Sequence, residues 1–208
     1  MAVEQRPQGF QFDLSGGHLA LDFANTVSRR DSPEKTVEHL NSYHDLVSFA
    51  RQTGTVTPQH ANMLERKARA QPRAAVQVLC TAIRLREALF AVFTAVAEGE
   101  PCVSADLELI NRAAVEALGH RHIVRANGSY EWRWNQDPTL ERVTWPIAQA
   151  AAELLTSPER TKVRECQASD CYWLFLDHSR NRSRRWCSMD ACGNREKARR
   201  HYHRQRAR

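Results

Sequence analysis

The feature that most constrains this chain is a set of four cysteines near its C-terminal end. Cys166 and Cys171 form one pair and Cys187 and Cys192 a second; four residues separate the members of each pair, and fifteen lie between the pairs. Two short loops that each offer two thiolates meet the preference of zinc for four tetrahedral ligands. The spacing therefore predicts one structural Zn²⁺ bound by Cys166, Cys171, Cys187 and Cys192.

Two other interpretations of the cysteines stay open at this point. They can form two disulfides, but nothing else in the sequence indicates the oxidising compartment in which disulfides persist. They can form a redox or catalytic zinc site, but a catalytic zinc keeps one coordination position open and four thiolates fill the shell. His178 and His201 are alternative ligands; we expect both at the surface because four thiolates suffice.

Positive charge is concentrated beside the cysteines. Residues 180–208 contain eleven Lys or Arg against two acidic residues, a net charge of +9, whereas the whole chain carries +6 and residues 1–179 therefore carry −3. Such a run can be a solvated face, but a metal-bound module with a cationic helix is typical of nucleic-acid-binding proteins. The candidate nucleic-acid contacts are Arg180, Arg182, Arg184, Arg185, Arg195, Lys197, Arg199, Arg200 and Arg204.

Composition and hydropathy limit where the protein acts. No run of 18 apolar residues is present, so the sequence predicts no transmembrane helix and no membrane partner. The N-terminal residues lack the apolar core and cleavage site of a signal peptide. We therefore expect a cytoplasmic protein with reduced thiols, associated with the nucleoid if it binds DNA.

Helical periodicity dominates the chain before the cysteines. Phe10 and Phe12 alternate with polar residues and predict a short strand. N-caps, prolines and glycines then mark a series of helix boundaries. The predicted helices span residues 41–53, Thr57 to about Ala70, Pro72 to Gly99, Ala105 to about Leu118 with Ser104 as its N-cap, and residues 137–155 with a kink at Pro146.

The sequence Asn127-Gly128 predicts a β-hairpin between segments 122–126 and 129–134. Three aromatic side chains share one face of its second strand: Tyr130, Trp132 and Trp134. We expect this face to pack on helices, the alternative being that it stacks nucleobases.

The pattern as a whole predicts a mostly α protein with a small β component (α+β). A helical domain at residues 10–157 contains the hairpin, and a zinc finger occupies residues 160–208. The connection between them is short, so we expect the finger to lie close to the helical domain.

A candidate small-molecule site lies near the N-terminus. In residues 18–27, read as a helix, His18, Asp22 and Asn25 fall on one face at i, i+4 and i+7, opposite an apolar face. Three hydrogen-bonding side chains in an otherwise apolar segment can form a ligand site, and a capped helix with a polar outer face accounts for the pattern equally well.

Two segments carry a resemblance to known families. Cys171 to Cys187, followed by Cys192-Gly193-Asn194-Arg195, resembles the CGNR zinc finger, and Gly17-His-Leu-Ala-Leu-Asp-Phe-Ala-Asn-Thr26 resembles the opening motif of the ABATE domain, which precedes that finger in a bacterial family. The resemblance implies a treble-clef finger with the four cysteines as ligands. It also implies an α+β N-terminal domain that binds an unidentified ligand, in stress-linked transcription regulators.

These observations lead to a principal hypothesis and several alternatives. The principal hypothesis is a DNA-binding transcription regulator whose finger docks on duplex DNA, as a homodimer if binding is sequence-specific. An RNA-binding or ribosome-associated zinc protein is the alternative, since an Arg-rich tail suits RNA and exposed bases can stack on Trp132, Trp134, Trp173 or Trp186. A protein-interaction module is a further alternative. An enzyme is not expected, because the sequence contains no nucleophile–base–orienter set and no phosphate loop.

Overall fold

The computed structural model describes residues 10–206, so the first nine residues and Arg208 of the basic tail lie outside the described part. The α-helices are α1 Leu19–Ala24, α2 Tyr43–Gln52, α3 Pro58–Ala70, α4 Pro72–Glu98, α5 Ser104–Gly119, α6 Trp145–Thr156 and α7 Asn194–Arg206. Three antiparallel strand pairs accompany them: β1 Val27–Ser28 with β2 Val37–Glu38, β3 Arg121–Ala126 with β4 Ser129–Trp134, and β5 Val163–Glu165 with β6 Leu174–Leu176. The α+β fold class predicted from the sequence is confirmed.

Helix α4 lies at the centre of the main hydrophobic core, and α1, α2, α3 and α5 contact it. Leu85, Leu89 and Phe93 are among its buried side chains. Val76 is 60% exposed because the buried face of the first turns of α4 runs through Ala75, Val78 and Leu79. Gly99 ends the helix in the left-handed conformation, with a φ of 77° that glycine adopts without strain.

Helix boundaries follow local capping chemistry. Ser42 and Asp45 form a capping box at the start of α2. The Thr57 hydroxyl accepts a hydrogen bond from the His60 backbone N–H at 3.3 Å, and Pro58 occupies the first turn of α3.

Three local predictions were wrong. Residues 10–13 form no strand, although Phe12 is buried against Phe49. Ser104 is the first residue of α5, and Val103 precedes it as an N-cap without a side-chain hydrogen bond. Residues 137–155 are divided into a 3₁₀ turn at Leu140–Val143 and α6, so Pro146 lies in the first turn of α6, where a missing N–H costs nothing, and it produces no kink.

The hairpin is confirmed, but the packing expected for its aromatic face was wrong. Tyr130 is 73% and Trp132 53% exposed, and only Trp134, at the base of the hairpin, packs on the core beside Trp145. Only the base of the hairpin lies beside α6, at Trp145, so the residues nearer its turn have no covering layer. Among residues 10–206, no helix has the length and apolar character needed to span a membrane.

Strand β6 joins the cysteine-containing segment to the helical core. Its side chains alternate between two apolar clusters: Leu174 and Leu176 are buried in the main core, whereas Phe175 is buried among the cysteines. Val163 of β5 also lies in the main core. The finger therefore shares apolar surface with the helical domain.

Candidate metal centre and nucleic-acid interface

The four cysteines come from three local structures. Cys166 directly follows β5, and Cys171 lies in the same loop, three residues before β6. Cys187 lies in a bend, where its backbone N–H donates to the Cys166 sulfur at 3.3 Å. Cys192 lies in a π-helical turn, Met189–Gly193, that runs directly into α7. The last ligand therefore fixes the start of the basic helix, close to the positive end of its dipole.

The sulfur atoms fit a single zinc ion. All four lie within 4.8 Å of one another and all four cysteines are buried. Cys187 Sγ is 3.6 Å from the sulfurs of both Cys171 and Cys192. A tetrahedral Zn²⁺ with sulfur ligands at about 2.3 Å separates them by about 3.8 Å, whereas a disulfide needs about 2.05 Å. The cysteines are free thiols, and the disulfide interpretation is excluded.

The thiols are also electrostatically coupled. Hydrogen bonds from Cys171 and Cys187 hold the pKa of Cys166 far below its ordinary value, while contact with Cys166 raises the pKa of Cys171 and Cys187. Burial raises the pKa of Cys192. Four buried thiols this close retain protons among them, because like charges in contact cannot all ionise together. A divalent cation that replaces those protons suits this donor set.

Two candidate nucleic-acid residues are held by one carboxylate beside the centre. Asp170 accepts hydrogen bonds from Arg195 and Arg199, both at 2.8 Å, and Arg195 also contacts the Cys192 sulfur at 3.3 Å. Burial opposes ionisation of Asp170, but the two guanidinium groups hold its pKa below the usual value. This pairing attaches the first turns of α7 to the loop that supplies Cys171.

Arg184 and Arg185 also make contacts within the protein. The Arg184 guanidinium lies 4.5 Å from the Phe175 ring centre and donates to the backbone carbonyls of Trp186 at 2.9 Å and Ser15 at 3.3 Å. Arg185 donates to the Gln167 side chain at 2.7 Å. These two arginines therefore stabilise the second cysteine loop as well as adding charge.

The remaining candidates lie at exposed positions on the finger. Helix α7 has no buried residue, and Lys197, Arg200 and Arg204 recur on the face opposite Arg195 and Arg199. Four exposed cations each form no salt bridge with any residue from 10 to 206: Arg180, Arg182, Lys197 and Arg200. Arg204 donates only to the Arg200 backbone carbonyl, at 3.3 Å. This outer face is the most available positive surface beside the metal centre.

The three candidate ligand-binding residues lie where α1 meets the finger. His18 is the N-cap of α1, and its Nδ1 accepts from the Ala20 N–H at 3.3 Å. Asp22 is buried and accepts from the Gly16 N–H at 2.9 Å. Asn25 donates to the Leu174 carbonyl at 2.8 Å and accepts from the Leu174 N–H at 2.9 Å. The amide of Asn25 is thus committed to β6.

Gly16 completes this junction. Its carbonyl accepts a hydrogen bond from the Leu176 N–H at 2.9 Å. A Cβ at this position would lie 2.7 Å from Asp22 Oδ1 and 3.1 Å from Asn25 Nδ2, so a side chain would displace both contacts. Trp173 adds a further bond, from its indole N–H to the Val27 carbonyl at 2.9 Å. The segment from Gly16 to Val27 is therefore part of the surface that contacts the finger, together with α4.

Burial shifts the titration of two groups at this junction. Burial raises the pKa of Asp22 to about 7, with a smaller contribution from Asp13, and the backbone N–H groups of Gly16 and Gly17 oppose the shift. Burial lowers the pKa of His18, and the nearby negative charges of Glu153 and Glu159 oppose this shift. Both shifts have the same cause, since burial at the junction disfavours the charged form of each group.

Sequence reasoning missed Asp170 and Asp177. Asp177 is buried and accepts from the backbone N–H groups of Ser179 at 2.9 Å and Arg184 at 3.0 Å, which fixes the turn that leads to the second cysteine pair. A usable signal existed for Asp170, since it is the one acidic residue between Cys166 and Cys171 in a finger otherwise rich in arginine. The role of Asp177 depends on backbone geometry that spacing does not reveal.

A buried four-cysteine centre that follows a helical domain and fixes the start of a cationic helix defines a zinc-finger protein. Comparison with family models agrees. The model of the ABATE family, described as "Putative stress-induced transcription regulator", matches residues 17–158, and that of the CGNR zinc finger matches residues 162–205. The chain belongs to the ABATE family and carries a CGNR zinc finger, as the resemblance implied. No curated protein matches the chain significantly.

Proposed function

We propose that this protein is a transcription regulator that binds duplex DNA through the outer face of α7. The observation that carries the proposal is the outward-facing set Lys197, Arg200 and Arg204 on a helix whose start is fixed by Cys192. Arg180 and Arg182, exposed on the neighbouring loop, extend the positive surface. The family description supports the regulatory role, and neither family description names a catalytic activity.

The metal centre and the ion pairs of Asp170 have different roles at α7: the first stabilises the fold and the second orients the helix. A zinc ion on the four cysteines supplies folding free energy to a segment too small to bury a sufficient core alone. Arg195 and Arg199 orient the helix through Asp170, while the opposite face contacts phosphates. Phosphate contacts dominate affinity, and an arginine that reaches guanine in the major groove adds about 1–3 kcal/mol of sequence discrimination.

The helical domain presents the finger to DNA. A single finger reads few base pairs, so sequence-specific binding calls for a homodimer with two half-sites. A small ligand bound near His18 and Asp22 would act on the finger through the junction, because Gly16 and Asn25 hydrogen-bond directly to β6. A ligand at this junction would therefore act directly on β6, the strand that carries Phe175 into the cysteine cluster.

The proposal is tested by binding of the zinc-loaded protein to random-sequence duplex DNA, structured RNA and single-stranded RNA at equal salt. Duplex binding that disappears when zinc is chelated supports the proposal. Preference for structured RNA would replace it with the RNA-binding alternative. Binding that survives chelation would mean that the tail acts as an unstructured polycation.

A further inference from the structure

The hairpin formed by residues 121–134, here called the aromatic ribbon, is exposed on both faces. One face carries Tyr130 and Trp132 on β4 and Ile123 on β3, which are 73%, 53% and 60% exposed. Large apolar side chains rarely stand together in water on a soluble protein without a binding role. The ribbon is paired with no further strand in the described part of the chain.

The register of the ribbon interleaves aromatic rings with cations. Arg125 lies opposite Tyr130, and Arg121 lies opposite Trp134. The Arg121 guanidinium sits 5.1 Å from the Trp132 ring centre and 4.9 Å from that of Trp134. It therefore supports one face of the Trp132 indole while more than half of that side chain remains accessible. A ring held in this way is preorganised for stacking.

Charge distinguishes the aromatic ribbon from the domain that carries it. The ribbon contains three arginines and one glutamate, a net charge of +2, whereas residues 10–120 and 135–158 together carry twelve basic and sixteen acidic residues, a net charge of −4. A local cationic patch on an acidic domain is complementary to a polyanion. Arginine beside exposed aromatic rings is the combination that binds unpaired nucleotides.

We propose that the aromatic ribbon binds single-stranded nucleic acid, with bases stacked on Trp132 and Tyr130 and phosphates beside Arg125. Alternate residues on one face of a strand are about 6.8 Å apart, twice the roughly 3.4 Å between stacked bases. Only a strand whose bases are free to separate can match that spacing, so the ribbon selects unpaired segments over duplex. This site is separate from α7 and does not depend on the duplex-binding role proposed for that helix.

The test measures binding of the full zinc-loaded chain to a fluorescein-labelled oligothymidylate and to a random-sequence duplex. Tyr130→Ala/Trp132→Ala removes the stacking surface, and Val76→Ala/Val115→Ala removes two exposed apolar side chains elsewhere as a control. Lys197→Ala/Arg200→Ala changes the α7 face alone. Trp132→Phe keeps an aromatic ring and serves as a rescue variant, and thermal melts verify that every variant folds.

The expected result is a loss of at least about tenfold in oligothymidylate affinity for the ribbon variant, since each stacked base contributes roughly 1–3 kcal/mol. Trp132→Phe retains binding, and duplex affinity is unchanged. Lys197→Ala/Arg200→Ala loses duplex affinity and keeps its oligothymidylate affinity. Failure of one proposal is therefore distinguishable from failure of the other. Unchanged oligothymidylate affinity in a folded ribbon variant overturns the inference. The inference is also overturned if Tyr130→Ala/Trp132→Ala converts a dimer to a monomer without loss of oligothymidylate binding. The ribbon would then be a contact with a second copy of the chain.

Discussion

The side-chain amide of Asn25 forms both hydrogen bonds to the backbone of Leu174, a residue 149 positions away in the sequence. It occupies the place that a neighbouring strand would take beside β6. Because Leu174 is buried in the main core and Phe175 among the cysteines, this contact lies where the helical domain and the finger meet. The ABATE motif thus has a structural role in holding the zinc finger.

Asn25→Ala should destabilise the protein. The Leu174 N–H and C=O would both be left buried without a partner, at a cost of about 2–4 kcal/mol. Urea unfolding measures the loss, and hydrogen exchange should be faster at the Leu174 amide. Asn111→Ala, on the exposed surface of α5, is the matched control. Equal stability of the two variants would contradict the role assigned to Asn25.

Removal of zinc should destabilise the helical domain as well as the finger. Val163, Leu174 and Leu176 of the finger lie in the main core, so loss of the metal centre removes packing from both parts. We expect Cys192→Ala, or chelation, to lower the Tm of a single unfolding transition by at least about 10 °C. Cys80→Ala, at an exposed thiol, should leave the Tm unchanged. Two transitions, one at the original temperature, would show that the domains unfold independently.

Stability should depend on the ionisation of Asp22. Its pKa of about 7 in the folded protein lies above the ordinary aspartate value of 3.8, so the folded state binds a proton more tightly than the unfolded state. Asp22 therefore makes its full contribution to the free energy of unfolding below about pH 4. This contribution, as much as about 4 kcal/mol, is lost as the pH rises towards 7. His18, whose pKa is lowered, contributes in the opposite direction as the pH rises towards 6.5.

Asp22→Asn isolates the contribution of Asp22, because His18 is present in both proteins. The variant should gain stability relative to the natural protein as the pH is raised from 4 to 8, measured by urea unfolding at each pH. The amide oxygen can still accept the Gly16 hydrogen bond. A stability difference that does not change with pH would show that Asp22 is charged in the folded protein throughout this range.

Arg199 and Arg200 are adjacent but should respond differently to substitution. Arg199→Ala removes an ion pair with the nearly buried Asp170 and should cost about 1 kcal/mol, a Tm decrease of roughly 2–4 °C. Arg200→Ala removes an exposed cation and should change stability by less than about 0.5 kcal/mol. Thermal melts of the zinc-loaded variants measure both values. A larger destabilisation by Arg200→Ala would reverse the assignment of the two helix faces.

The sequence was sufficient for features that depend on local chemistry. Cysteine spacing identified the four residues whose sulfurs converge, Asn127-Gly128 identified the hairpin, and Thr57-Pro58 identified the start of α3. Each of these signals acts within a few residues. The nucleic-acid and ligand roles of the other candidate residues stay predictions.

Features that depend on long-range contacts could not be predicted. Trp132 has the alternation typical of a packed face, but whether a helix covers it depends on where the hairpin sits in the fold. The charge run did not distinguish Arg199, which pairs with Asp170, from Arg200, which faces solvent. The polar face of α1 indicated a candidate ligand site. The residue that Asn25 binds, Leu174, lies too far along the chain for helical periodicity to reveal the contact.

The central claim is that the outer face of α7 contacts the phosphates of duplex DNA, and the salt dependence of binding tests it most directly. The measurement compares the zinc-loaded natural protein with Lys197→Ala/Arg200→Ala/Arg204→Ala on the same random-sequence duplex. Each lost phosphate contact reduces the slope of log affinity against log salt by about 0.9, so the account predicts a decrease of about 2.7. An unchanged slope in the folded variant would contradict it.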